Sequence, residues 1–145
     1  MKTVRFLARP RADLGEVIEI VPAIDDAELT DLVHAFEQRA GMETRSTSYG
    51  GLIPSYFNFG SIDDHFLGVA WRESNRKSPL LGCSCGEWGC WPLLARIVVA
   101  KDSVTWSEFE QPHRKGTDYS AFGPFSFVRT QYERALVELQ LMLGG

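Results

Sequence analysis

Leu80-Leu-Gly-Cys-Ser-Cys-Gly-Glu-Trp-Gly-Cys-Trp-Pro-Leu-Leu-Ala-Arg-Ile-Val-Val-Ala-Lys-Asp-Ser-Val-Thr-Trp-Ser-Glu-Phe109 carries the strongest β signal in the chain. Apolar runs at Leu80 to Cys85 and Trp91 to Ala100 read as strands, and Lys101-Asp102-Ser103 turns the chain into a third, Val104 to Phe109. There Val104, Trp106 and Glu108 alternate with Thr105, Ser107 and Phe109, the two-residue period of a pleated strand. Short turns between consecutive strands require antiparallel pairing. The stretch therefore predicts a meandering antiparallel sheet, with Phe125 to Phe127 as a short further strand.

Upstream, Val4, Phe6 and Ala8 alternate within Thr3 to Arg9, and Glu16 to Val21 repeats the pattern after a turn, so the chain opens with a predicted hairpin. Asp25 followed by Glu28 reads as a capping box. It opens a helix whose buried stripe is Leu29, Leu32, Val33, Phe36 and Ala40, stopped by Gly41. His34 falls away from that stripe and reads as solvent-facing. Thr44 to Gly51 is polar and loop-like, and Leu52 to Phe59 reads as an edge or irregular strand because of Pro54. Ser61 starts a predicted single helical turn, Phe66 to Trp71 another strand, and Ser74 to Pro79 a turn. Gln111 to Gly123 is a long polar loop. Thr130 with Glu133 predicts a second capped helix, with Tyr132, Ala135, Leu136, Leu139 and Leu143 on one face. Val137 and Leu141 lie near its opposite face, so that helix is either sandwiched in the fold or paired with a second copy as a homodimer. The expected class is α+β, an antiparallel meandering β-sheet, bent or two-layered, with two amphipathic helices packed on it. Residues 1–145 read as a single domain.

Bulk properties narrow the function classes. The chain has 145 residues, 44% of them hydrophobic and 23% charged, which is ordinary globular composition able to bury a core. A formal charge of −4 argues against nucleic-acid binding, and the short basic spots at Arg72 to Lys77 and His113 to Lys115 are too small to reverse that. No run approaches the roughly 18 apolar residues of a membrane span, and the charged N-terminus does not suit a signal peptide. A cytoplasmic setting with reduced thiols follows, and the odd cysteine count agrees with it.

All three cysteines, Cys83, Cys85 and Cys90, fall within eight residues. If Gly86 to Gly89 is a four-residue hairpin loop, Cys85 and Cys90 stand opposite each other at roughly 4.5 to 5.5 Å between Cα atoms. Cys83 then points to the same side. Three readings follow. In the first, the sulfurs are three ligands of a zinc ion, with His113, His65 or Glu87 as the fourth. In the second, Cys85 and Cys90 cycle a cross-strand disulfide that Cys83 resolves. In the third, the cysteines are small buried hydrophobes under Trp88 and Trp91, with no metal or other cofactor. The third is the expectation, with zinc as the alternative.

Two other constellations are weaker. Asp63-Asp64-His65 pairs carboxylates with a histidine but reads first as a helix cap. Gln111-Pro-His-Arg places His113 and Arg114 on a loop near Trp106, where they either meet solvent or offer an anion a pocket wall. Phosphate-binding, dinucleotide, zinc-protease and nucleophile-elbow motifs are missing from the sequence.

The set Leu81-Gly-Cys-Ser-Cys-Gly-Glu-Trp-Gly-Cys-Trp-Pro-Leu, Val104-Thr-Trp-Ser-Glu-Phe, Gln111-Pro-His-Arg, Phe122-Gly-Pro-Phe and Gln131-Tyr-Glu resembles a group of uncharacterised bacterial proteins across the C-terminal half. That resemblance implies a bacterial, cytosolic origin and carries no catalytic residues, since the group has no settled activity. The expected function is a non-enzymatic domain that binds a protein partner, in the manner of an immunity protein, through an aromatic surface of Trp88, Trp91, Trp106, His113 and Arg114. The alternatives are a zinc-binding domain or metal-dependent enzyme using Cys83, Cys85, Cys90 and His113, and a small-ligand enzyme using His65 or His113.

Overall fold

The strands read from residues 80–109 form the middle of the larger of two antiparallel sheets, so the chain is α+β as expected. The computed structural model describes residues 1–42, 48–56, 60–72, 76–114 and 116–144. The smaller sheet holds β1 (Val4–Arg11), β2 (Val17–Ile24) and the short β3 (Ala27–Glu28). The larger runs in the order β4 (Tyr49–Gly50), β5 (Ser78–Cys83), β6 (Leu93–Val99), β7 (Ser103–Glu110) and β8 (Phe125–Val128). Every neighbour in it is also next in sequence, which is the predicted meander.

Isolated bridges join the two sheets at both margins. Lys2 donates its backbone N–H to Ser126 O beside β8, at 2.9 Å. Ile20 of β2 and Leu52, just past β4, exchange both backbone bonds at 2.7 and 3.0 Å. Backbone contact therefore passes from β2 through β1, across to β8, along the larger sheet to β4, and back to β2. Each bridge engages backbone groups at one point along its sheet margin.

α1 (Leu29–Arg39) packs beside β2, and α4 (Arg129–Met142) lies along β1, β7 and β8. At the heart of the core Phe6 meets Phe66 at 4.6 Å and Tyr132 at 5.6 Å between ring centroids. Trp106 is fully buried against Phe127 and donates Nε1–H to the Tyr132 hydroxyl at 3.1 Å. The hydroxyl of Tyr132 in turn donates to Phe66 O, so the buried polar tips are satisfied within the core.

Several expectations change on inspection. The capping box at Asp25 does not form. Asp25 and Asp26 take positive φ in a tight turn, Asp25 accepts from Thr3 N, and the helix starts only at Leu29. Thr130 likewise caps nothing, because Val128 is the α4 N-cap and makes no side-chain cap bond. Phe66 to Trp71 is not a strand: α2 (Ile62–Phe66) starts after Ser61 as expected, with the Ser61 hydroxyl and not an aspartate as its cap, and α3 (Val69–Arg72) follows a turn at Leu67–Gly68. Its aromatic composition suggested a strand, but tertiary packing of Phe66 and Trp71 overrides that preference. Pro54–Tyr56 is a single 3-10 turn rather than a strand. The expected segments at Thr44 to Gly51, Leu52 to Phe59 and Ser74 to Pro79, and both basic spots, lie partly outside the described residues. On α4, Val137 and Leu141 are 59% and 71% exposed, so that helix is not sandwiched within this chain. None of the described helices is long and apolar enough to cross a membrane.

Candidate metal centre and tryptophan groove

The cysteine corner differs in register from the hairpin expected of it, yet its sulfurs still converge. β5 ends at Cys83 and pairs Leu81 with Leu93, so residues 84–92 form a longer connection than four. Cys85 and Cys90 are therefore loop residues and face no ladder partner. The chain turns first at Gly86, whose N–H donates to Cys83 O at 3.0 Å, then through a 3-10 turn over Trp88–Cys90. Gly86 has φ 102°, a left-handed value that glycine adopts without strain. At Gly82 the constraint is space, since a Cβ there would sit 2.7 Å from the Trp88 Cα. The first hairpin braces the corner from outside, as Arg11 donates Nη2–H to Ser84 O at 2.6 Å.

This folding places the three Sγ atoms within 4.8 Å of one another. Cys83 is buried, whereas Cys85 and Cys90 are exposed. Close packing thus accounts for one thiol of three, and the reading of all three as buried hydrophobes is corrected for Cys85 and Cys90. Backbone donors point at sulfur as well: Cys85 N–H reaches Cys83 Sγ at 3.4 Å, and the Glu87 backbone bonds Cys85. Burial pushes the Cys83 thiol up to about 11. The hydrogen bond from Cys83, followed by that from the Glu87 backbone, holds Cys85 below the ordinary thiol value. The corner thus contains one reluctant and one ready thiol, arranged to share a proton.

Of the three candidates for a fourth ligand, none belongs to this close group among the described residues. His65 is fully buried and its Nε2–H donates to Pro79 O at 2.8 Å, which ties α2 to β5; burial depresses its pKa. Exposed His113 stacks on Trp91 at 6.1 Å and donates Nε2–H to Gly89 O at 3.1 Å, one residue before Cys90. Glu87 is exposed beside the corner.

Comparison with known proteins gives no match: no family model, curated protein or solved structure is significantly similar to this chain. The site must be read from its own chemistry.

The expected aromatic surface is relocated. Trp106 is 0% exposed and lines no surface, and Trp91, 2% exposed, reaches only the wall of a cleft beside α1. Trp91 instead carries Arg114 over its ring at 5.3 Å and His113 on its flank. The part-exposed tryptophans are Trp88 and Trp71, which meet edge to face at 6.5 Å. They line a groove of about 300 Å³ with Arg76, Lys77, Arg96 and Glu110, in which Lys77 pairs with Glu110 at 2.9 Å and Arg76 lies 5.1 Å over the Trp71 ring. A strand over Phe66 to Trp71 gives no reason to place Trp71 beside Trp88; the helical turn of α3 does. Neither His65 nor His113 lines this groove or the cleft beside α1.

Proposed function

We propose that the protein binds a soft, thiophilic metal ion, zinc or copper(I), at Cys83, Cys85 and Cys90. The observation that carries this reading is the convergence of three sulfurs within 4.8 Å, two of them exposed where packing gives no reason for a cysteine. Bonds of about 2.3 Å in a tetrahedral zinc site set sulfurs about 3.8 Å apart, so closure requires only small side-chain shifts. Backbone N–H groups on sulfur favour thiolates, the form that binds metal. Three sulfurs with an open side suit copper(I), or zinc with a fourth ligand from solvent or from His113 once it leaves Gly89 O. We assign the site no catalytic step.

Elemental analysis of the purified protein, paired with thiol titration, tests the reading. One ion per chain and fewer than three reactive thiols, both reversed by a chelator, are expected. Cys85→Ser and Cys90→Ser should lose the ion with the fold kept, since both side chains are exposed. His113→Ala should weaken zinc alone. Three reactive thiols and no metal after growth with zinc and copper supplied would remove the proposal.

Partner binding is the second reading, favoured by the Trp71–Trp88 groove. Two part-exposed indoles beside Arg76, Lys77 and Arg96, with Glu110 as the one carboxylate lining the groove and paired to Lys77, suit a protein segment with aromatic or aliphatic anchors and an acidic group for Arg76. Homodimer formation through Val137 and Leu141, and a bacterial cytosolic setting in which thiols stay reduced, complete that reading. Sedimentation of a monomer at high concentration would dispose of the dimer. An acidic peptide library that binds the wild type and Trp71→Ala with Trp88→Ala equally would dispose of the groove.

A further inference from the structure

A cleft of about 450 Å³ lies between α1 and the strands beneath it, and neither reading above uses it. Thr30, His34 and Glu37 line it from α1, at the four- and three-residue spacing of one helix face. Glu37 is only 8% exposed, and its Oε2 is held from two directions by hydroxyl donors, Tyr49 at 2.8 Å and Tyr119 at 2.5 Å. Gln111 donates Nε2–H to the Tyr49 oxygen at 3.0 Å, which leaves the single Tyr49 proton directed at Glu37. Arg114 Nε stands 3.9 Å from the same Oε2. Among the described residues no hydrogen bond reaches Glu37 Oε1. A carboxylate so nearly buried, fixed on one oxygen and open on the other, presents a preset acceptor to whatever occupies the cleft.

The cleft's charges balance, with Arg9, Arg11 and Arg114 against Glu19, Asp31 and Glu37. A lone cation meets the arginines there and a lone anion meets the carboxylates. Arg9 retains donors for a ligand: Glu19 and Glu28 take three of its guanidinium N–H groups, and its side chain is 43% exposed. Val21 and Met42 add apolar surface.

We propose that this cleft binds a small zwitterion of the amino-acid class, its ammonium donating to Glu37 Oε1 and its carboxylate accepting from Arg9. The proposal is independent of the cysteine corner and stands whether or not metal binds there. Calorimetry on the full chain tests it with α-, γ- and ε-amino acids and dialanine, a series of increasing charge separation. Propylamine, propionate and glycerol serve as the cation-only, anion-only and uncharged controls. At least one zwitterion should bind at millimolar concentration or tighter, and each control at least about tenfold more weakly. Glu37→Gln keeps the shape and removes the charge, and should weaken that zwitterion about tenfold or more. Arg9→Gln, at a half-exposed site where misfolding is not expected, should do the same from the other end. Heats no larger for any zwitterion than for the controls overturn the proposal, as does unchanged affinity in both variants.

Discussion

Cys83 and Cys85 are two residues apart, yet they sit on opposite sides of the ordinary thiol value, and the cause is position. Burial penalises the Cys83 thiolate, while a neighbouring thiol and a backbone N–H favour that of Cys85. Iodoacetamide should therefore label Cys85 first in the metal-free protein, at a pH midpoint below that of a free thiol, as mass spectrometry of timed digests would read. The same asymmetry fixes a stability trend. Cys83 keeps its proton longer folded than unfolded, so the folded state binds more protons between the two values. Its contribution is complete below about 8.5, the unfolded thiol value. It is lost as pH rises toward about 11. Urea midpoints of the metal-free protein should fall across that window, and a flat profile would mean Cys83 is less buried than described. Glu37 is the other instructive residue. Leu29, Val33 and Glu37 are the buried positions of α1, and a carboxylate four residues beyond Val33 on that face was a legible signal. The apolar stripe drew attention instead to Ala40, which is exposed.

Among elements, those with strict periodicity were legible and those built by packing were not. β1, β2, β6, β7 and the body of both long helices follow patterns visible in the sequence, because alternation and the three-and-four spacing each bury one face. Helix starts were misread at Asp25 and Thr130, where a tertiary bond from Thr3 and a strand-end Val128 decide the boundary. α3 was misread because aromatic residues suit either state, and neighbouring rings choose between them. The cysteine corner was read correctly as a tight glycine-rich reversal and wrongly in register. Its tightness gives a prediction: Gly82→Ala presses a methyl against the Trp88 backbone and should cost about 1–3 kcal/mol in chemical denaturation. Displacing that backbone also separates the thiols, so Cys85 labelling should shift back toward the pH of a free thiol. Unchanged stability and labelling would show that the corner yields easily.

For the whole molecule, the sheet order followed from the sequence but its closure did not. A single hydrogen-bonded bridge at each margin leaves no periodic trace. Gln131 shows how much rests on side-chain detail: its Oε1 accepts from Val4 N at 3.0 Å and its Nε2–H donates to Val4 O at 2.7 Å. One amide thus occupies both backbone groups at the start of β1 and anchors α4 to it. Gln131→Ala should lower stability by about 1–3 kcal/mol, two ordinary hydrogen bonds' worth. Faster exchange of the amides of Val4 and Phe6 by NMR would localise the loss, and uniform exchange across both sheets would refute a local clamp.

The Lys2 to Ser126 bridge also bears on how the protein is made. During synthesis the opening strand leaves the ribosome long before the segment that will cover its margin. Until Ser126 and Gln131 emerge, the start of β1 lacks the partners of Lys2 and Val4, and is open to other nascent chains and to chaperones that bind extended segments. Messages cut short before that point should yield sticky, protease-sensitive products, whereas those that also encode α4 should yield chains in which the start of β1 is covered.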